Sequence, residues 1–164
     1  MTFLLKNQTL ILIFNNFSLG DIFVVGGTNY NGFQKKSKTE LMSIETWKWQ
    51  TREPYPYATF ISRAPSLFSG KSFYVFGGYN RDASYGEDKT FSTISSFTPE
   101  SNSWKMIGSM KAQRHSASVV EVDDHFIIIG GYSDSSSTEI CKSKDGRIYC
   151  EYQENSLTDK GTNF

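Results

Sequence analysis

The sequence contains few cysteines, prolines and histidines, and its charges cancel. Of 164 residues only two are Cys, two are His and four are Pro, and 17 basic residues balance 17 acidic ones. Affinity for a phosphate backbone requires a basic excess, so this composition argues against a nucleic-acid partner. No apolar run approaches the ~18–20 residues of a membrane-spanning helix, so no membrane insertion is expected. No segment keeps the apolar period of an amphipathic helix for long enough to predict one.

The residues that are abundant favour strands and turns. Aromatic residues make up 15% of the chain, and there are 13 Gly. This composition is typical of β-sheet proteins, and we predict an all-β fold. The N-terminal stretch MTFLLKNQTLILIFNN has two short apolar runs separated by Lys6-Asn7-Gln8. Because a signal peptide needs one unbroken apolar core of about 7–15 residues, we expect a buried strand there instead.

Three apolar segments ending in a glycine pair recur along the chain. They are DIFVVGG at 21–27, SFYVFGG at 72–78 and HFIIIGG at 125–131, so the pairs are 51 and 53 residues apart (26 to 77, 77 to 130). Four short strands fit into each period, and repeated four-stranded sheets are typical of β-propeller blades. Each pair is expected to end a strand where the backbone turns sharply with positive φ. The glycines concerned are Gly26, Gly27, Gly77, Gly78, Gly130 and Gly131.

Two further features recur in a fixed order around the glycine pairs. An arginine precedes two of them, at Arg63 and Arg114, and a tryptophan follows two, at Trp49 and Trp104. We expect both tryptophans to pack between adjacent sheets. With FTPESNSW at 97–104, the chain resembles kelch repeats, in which an arginine, two apolar strands ending in Gly-Gly, a Tyr-Asp-Pro-like turn and a tryptophan follow one another. The first unit departs from this motif in lacking the arginine, and the third in lacking the tryptophan.

The resemblance implies a partial kelch-type β-propeller of about three four-stranded antiparallel blades. Blade one is predicted at 9–55, blade two at 63–109, blade three at 114–152 and a polar tail at 153–164. Closed propellers usually have four to eight blades. Three blades therefore indicate a fragment of a larger propeller, closure by self-association, or a modified last blade that caps the stack.

Both cysteines lie in CKSKDGRIYC, at Cys141 and Cys150. The central Asp145-Gly146 favours a two-residue type I′ hairpin turn, which would place the cysteines opposite each other at a non-hydrogen-bonded pair. Such a pair is close enough for a disulfide. Aligning the repeats places Ile148 in the tryptophan position of blade three. A bridge would indicate an extracellular protein and free thiols a cytoplasmic one, so the sequence leaves the compartment open.

Four residues are candidates for binding a protein partner: Arg63, Arg114, Tyr79 and Tyr132. The resemblance implies that arginines at this place in the repeat lie near one rim of the central channel, where partners bind. A guanidinium also suits bidentate recognition of carboxylates. The alternative is structural, with each arginine bonding loop carbonyls or an acidic group of a neighbouring blade.

The sequence offers no constellation of catalytic residues. The two histidines, His115 and His125, are ten residues apart on one blade and are predicted at opposite ends of a hairpin, so they cannot share a metal ion. We therefore predict no enzyme activity, metal or cofactor, and a protein-interaction module instead. The alternatives are a secreted or ectodomain propeller with the Cys141–Cys150 bridge and, more remotely, an enzymatic propeller.

Overall fold

The structure is a computed structural model that describes residues 2–4, 10–13, 22–26, 38–57, 61–82, 87–132 and 136–153. Every regular element in these ranges is a β-strand, which confirms the all-β prediction. No helix in the described ranges could span a membrane. Gly27 and most of the polar tail lie outside the described residues.

Blade one is a five-stranded antiparallel sheet in chain order. Its strands are β1 Thr2–Leu4, β2 Leu10–Ile13, β3 Ile22–Val25, β4 Thr39–Ser43 and β5 Lys48–Arg52. Four of them correspond to the predicted blade, and β1 is an additional strand on the free edge of β2. Residues 2–4 and 10–13 of the N-terminal segment therefore form strands, and the expected burial there lies outside the described residues.

Blades two and three each consist of four antiparallel strands. Those of blade two are β6 Ser66–Ser69, β7 Ser72–Asp82, β8 Glu87–Thr98 and β9 Ser103–Ser109. Those of blade three are β10 Ser118–Val122, β11 His125–Ile129, β12 Thr138–Lys144 and β13 Arg147–Tyr152.

A short parallel bridge between β9 and β13 joins the outer edges of blades two and three into one eight-stranded sheet. Ile148 pairs with Gly108 there, and a Cβ on Gly108 would lie only 2.3 Å from the carbonyl oxygen of Ile148. Only glycine permits this approach of the two backbones. The two blades are thus held together at their outer edges as well as through their faces.

Two apolar clusters fill the spaces between successive blades. The cluster between blades one and two is centred on Phe23, Phe73 and Phe97, and that between blades two and three on Phe76 and Ile128. The Phe23 and Phe73 rings stack with centroids 3.9 Å apart. Both clusters combine the inner residues of two facing sheets, which is how a stack of blades buries the apolar face that one sheet leaves open.

The hairpin between β12 and β13 has the register that Asp145-Gly146 predicts. Asp145 and Gly146 have φ of 52° and 74°, and Cys141 pairs with Cys150. The two cysteines form a disulfide, and both are buried. A bridge that closes a loop of about ten residues contributes about 2–4 kcal/mol to the free energy of unfolding.

The prediction that Ile148 takes the tryptophan position of blade three is wrong. In blade one Met42 pairs with Trp49, in blade two Phe97 pairs with Trp104, and the matching pair of blade three is Cys141 with Cys150. The reason is the turn: two residues connect β12 and β13, whereas four connect the corresponding strands of the other blades. The disulfide therefore takes the place of the apolar pair.

The expectation that Trp49 packs between sheets is also wrong. Trp104 is buried against blade one, but Trp49 is 53% exposed. The tryptophan of each blade faces the preceding blade, and no described residue forms a blade before blade one. Nearby Trp47, in the turn, is 73% exposed.

Candidate partner-binding surface

Two short bridges place aromatic residues at the end of the blades where the glycine pairs lie. The segment before blade two pairs with the end of β7 through Ser62 and Tyr79, and the segment before blade three pairs with the chain after β11 through His115 and Tyr132. Both pairs join residues 17 positions apart (62 to 79, 115 to 132). The same backbone bridge therefore occurs in both blades, and it places their side chains at one rim.

The side chains of Arg63, Tyr79, His115 and Tyr132 form a continuous row, which we call the aromatic rim. The Arg63 guanidinium carbon lies 5.8 Å from the centroid of the Tyr79 ring. The Tyr79 and His115 centroids are 4.9 Å apart, and the His115 ring stacks on Tyr132 at 5.0 Å with an interplanar angle of 17°. These distances suit cation–π and aromatic stacking contacts.

The two ends of the aromatic rim face solvent, and between them Tyr79 is half-buried and His115 is buried. Tyr132 is 69% exposed and Arg63 is exposed, whereas only 4% of His115 is accessible. Burial, and secondarily the charge of Arg63, lowers the pKa of His115 below its usual value. At neutral pH His115 is therefore uncharged, and Arg63 supplies the positive charge of the row.

The recurring arginine of the sequence pattern joins two positions that are not equivalent. When the bridges are aligned, Arg63 corresponds to Ser116, and both have positive φ, 53° and 54°. Arg114 corresponds to Ile61, which is buried between blades one and two. The sequence comparison aligned two residues because both are arginine. The structure instead aligns the residues that form equivalent bridges.

The structure does not place Arg114 at a binding surface. Its side chain is fully buried and forms an ion pair with Glu139 at 2.7 Å. It also donates to the carbonyl oxygen of Gly130 at 2.9 Å and to Ser137 Oγ at 2.7 Å. The partner-binding prediction for Arg114 is therefore wrong, because a partner cannot reach a guanidinium enclosed within its own blade.

Glu139 is the ion-pair partner of Arg114. The sequence did not identify it as a candidate site residue. Its carboxylate accepts hydrogen bonds from the backbone N–H of Lys111 at 2.7 Å and of Ala112 at 3.0 Å, in addition to the ion pair. It thereby ties the segment leading into blade three to β12. A glutamate beside Ile140 in the strand predicted at 138–142, with an arginine nearby in the same repeat, was the available signal.

The glycine pairs have the backbone geometry that the sequence predicts where they are described. Gly77 and Gly78 have φ of 60° and 110°. This pair does not end a strand, because β7 continues to Asp82 with a shift of register between Phe76 and Gly78. A Cβ on Gly77 would lie 2.3 Å from the carbonyl oxygen of Arg114, so β7 fits against the incoming segment there only without a side chain. The other described members also have positive φ: Gly26 68°, Gly130 63° and Gly131 100°.

One group of potential metal ligands occurs among the described residues, and other bonds already use it. Ligand atoms of Glu139, Cys141 and Cys150 lie within 4.8 Å of one another. A metal ion would need thiolates, but the two sulfurs are joined to each other. The Glu139 carboxylate is bound to Arg114 and to two backbone donors. These three residues therefore stabilise blade three.

Comparison with known proteins identifies the repeat. Residues 62–111 match the model of the Kelch motif. No curated protein sequence matches the chain. Among solved structures, one titled "Structure of YjhT" is similar, with a TM-score of 0.67 and 12% identity over 87% of this chain. The match covers 50% of YjhT, so this chain spans about half the length of that structure, and at this identity the likeness concerns the fold alone.

Proposed function

Because residues 62–111 are a kelch motif within a partial kelch-type β-propeller, we propose that this chain is a non-catalytic protein-interaction module that binds its partner through the aromatic rim. The observation that carries the proposal is the row formed by Arg63, Tyr79, His115 and Tyr132. It combines one cation with three aromatic rings in contact at the end of two adjacent blades.

The chemistry of the row favours a peptide segment with a carboxylate next to an apolar or aromatic side chain. Aromatic side chains and arginine are the residue types enriched at the centres of protein interfaces. Arg63 has its donors in the guanidinium plane, which suits a carboxylate. The exposed ring of Tyr132 offers an apolar face at the other end of the row. An acidic-aromatic segment would contact both ends at once.

Selection of peptides from a random phage-displayed library on the intact chain tests this proposal. We expect the selected peptides to be rich in Asp or Glu beside apolar residues. Arg63→Gln should lower their affinity by about 10- to 100-fold, because it removes charge-assisted hydrogen bonds. Tyr132→Ala should lower it as well. Isothermal titration calorimetry measures both effects.

Arg147→Gln is the matched control for Arg63→Gln. Arg147 is also exposed, but it lies at the Asp145-Gly146 turn, at the opposite end of blade three from the aromatic rim. Its replacement should leave peptide affinity unchanged. If the selected peptides bind the Arg63 and Tyr132 variants as tightly as the unmodified chain, the aromatic rim is not the binding surface.

The disulfide favours a second candidate, a secreted or ectodomain propeller. Disulfides persist in oxidising compartments, and this one is buried at the interface between blades two and three. In protein taken from its native source and alkylated before reduction, we expect mass spectrometry to find Cys141 and Cys150 joined and unalkylated. Two alkylated cysteines would reject this candidate and favour a partner in the cytoplasm.

A further inference from the structure

The contact between blades one and two shows what each blade presents to its neighbours. Blade two contributes an aromatic set to this contact: Phe73, Phe97 and Trp104. Blade one contributes an aliphatic-aromatic set: Phe23, Val25 and Leu41. Because strand residues alternate between faces, each blade has one face of each kind.

The outer face of blade one repeats the aromatic set of blade two. Alignment on the glycine pairs and the strand registers places Ile22, Met42 and Trp49 at the positions of Phe73, Phe97 and Trp104. Ile22 is half-buried and Met42 is buried, but Trp49 remains 53% exposed. A large indole in this position is the residue that blade two inserts into its neighbour.

The outer face of blade three repeats the other set. The same alignment places Ile127, Ile129 and Ile140 at the positions of Phe23, Val25 and Leu41. The blade-one residues are almost fully buried by blade two, whereas the three isoleucines are only partly buried. Val120 and Tyr149 extend this face and are 45% and 56% exposed.

We propose that a second copy of this chain covers these two faces, with blade one of each copy packed on blade three of the other. In the interface within the chain, the indole N–H of Trp104 donates to the carbonyl oxygen of Glu53, directly after β5, at 2.9 Å. The strand registers place Gln153 at the position of Arg52, the residue before Glu53. Trp49 of one copy therefore enters beside Gln153 of the other, where a depression of about 310 Å³ is lined by Ile140 and Tyr149.

The number of blades supports a second copy as the occupant. The described residues form three blades, and they match half of a structure with a similar fold. Two copies give six blades, within the four to eight of closed propellers. A head-to-tail interface that closes on itself leaves neither face open, which removes the exposed apolar surfaces of both copies.

Sedimentation equilibrium and light scattering of the 164-residue chain test the inference. We expect a dimer with twice the 18.6 kDa mass of one chain at micromolar concentration. Trp49→Glu should raise the dimer dissociation constant by about 30-fold or more, because it places a charge where an interface anchor packs. Trp47→Glu is the matched control and should not alter it, since Trp47 lies in the turn and outside the repeated set.

A mixing experiment distinguishes this interface from a symmetric contact of one face with itself. Ile140→Lys should also give a monomer, and the lysine would lie opposite Glu151 in the sheet. An equimolar mixture of the Trp49→Glu and Ile140→Lys variants retains one intact pair of faces, so it should form a heterodimer. Val120→Lys, at an exposed position of the same face, replaces Ile140→Lys if the latter fails to fold.

Three results would overturn the inference. They are a monomeric unmodified chain at micromolar concentration, a dimer that survives Trp49→Glu, and variants that stay monomeric when mixed. None of them bears on the aromatic rim, because the rim residues belong to neither face. Peptide binding that persists in the monomeric variants would show that the aromatic rim binds its partner independently of the dimer.

Discussion

Replacing Arg114 with alanine is expected to lower the free energy of unfolding by about 3–5 kcal/mol, because it leaves the buried Glu139 carboxylate without its ion-pair partner. The guanidinium and the carboxylate are both fully buried. The variant also removes the donors to Gly130 O and Ser137 Oγ. A loss of this size approaches the whole stability of many small domains, so we expect only part of the variant to be recovered as folded protein.

Urea unfolding followed by circular dichroism measures this loss. Arg147→Ala is the matched control, since Arg147 is exposed beside the Asp145-Gly146 turn, and it should change the free energy of unfolding by less than about 0.5 kcal/mol. The double variant Arg114→Ile/Glu139→Ser imitates blade two, which has Ile61 and Ser95 at these positions. It should be more stable than Arg114→Ala, since no unpaired charge remains. An Arg114→Ala protein as stable as the unmodified chain would contradict the structural role of the ion pair.

Features that depend on local backbone geometry could be predicted from the sequence. Gly26 and Gly130 directly follow β3 and β11 with positive φ, and Asp145-Gly146 sets the register that brings Cys141 to Cys150. Such features rest on steric limits of a few neighbouring residues. The repeat of about fifty residues then follows from their spacing, and with it the all-β architecture.

Features that depend on what lies across a blade could not be predicted in the same way. Arg63 and Arg114 look alike in the sequence, but a shift of two residues puts one at the rim and the other inside blade three. Trp49 and Trp104 have the same place in the repeat, but only Trp104 has a preceding blade to pack against. Whether a residue is buried depends on the neighbouring blade as well as on the residue itself. The sequence of one repeat does not specify that blade.

Trp104→Ala is expected to lower the free energy of unfolding by about 3–5 kcal/mol, the usual cost of removing a buried tryptophan. The indole packs at 5.0 Å from the Tyr55 ring and 5.1 Å from the Phe97 ring. It also donates to the carbonyl oxygen of Glu53.

Trp104→Phe keeps most of the apolar area and should cost less, so the difference between the two variants separates ring burial from the hydrogen bond. Trp47→Ala, at an exposed position, should change stability by less than about 0.5 kcal/mol.

The loss in Trp104→Ala should be concentrated in blade one, because Trp104 belongs to the cluster between blades one and two. Blades two and three keep their own cluster, the β9–β13 bridge and the disulfide. Hydrogen exchange should therefore show β3 to β5 losing protection well before β11 to β13. Uniform loss of protection would mean that the three blades unfold as one cooperative unit.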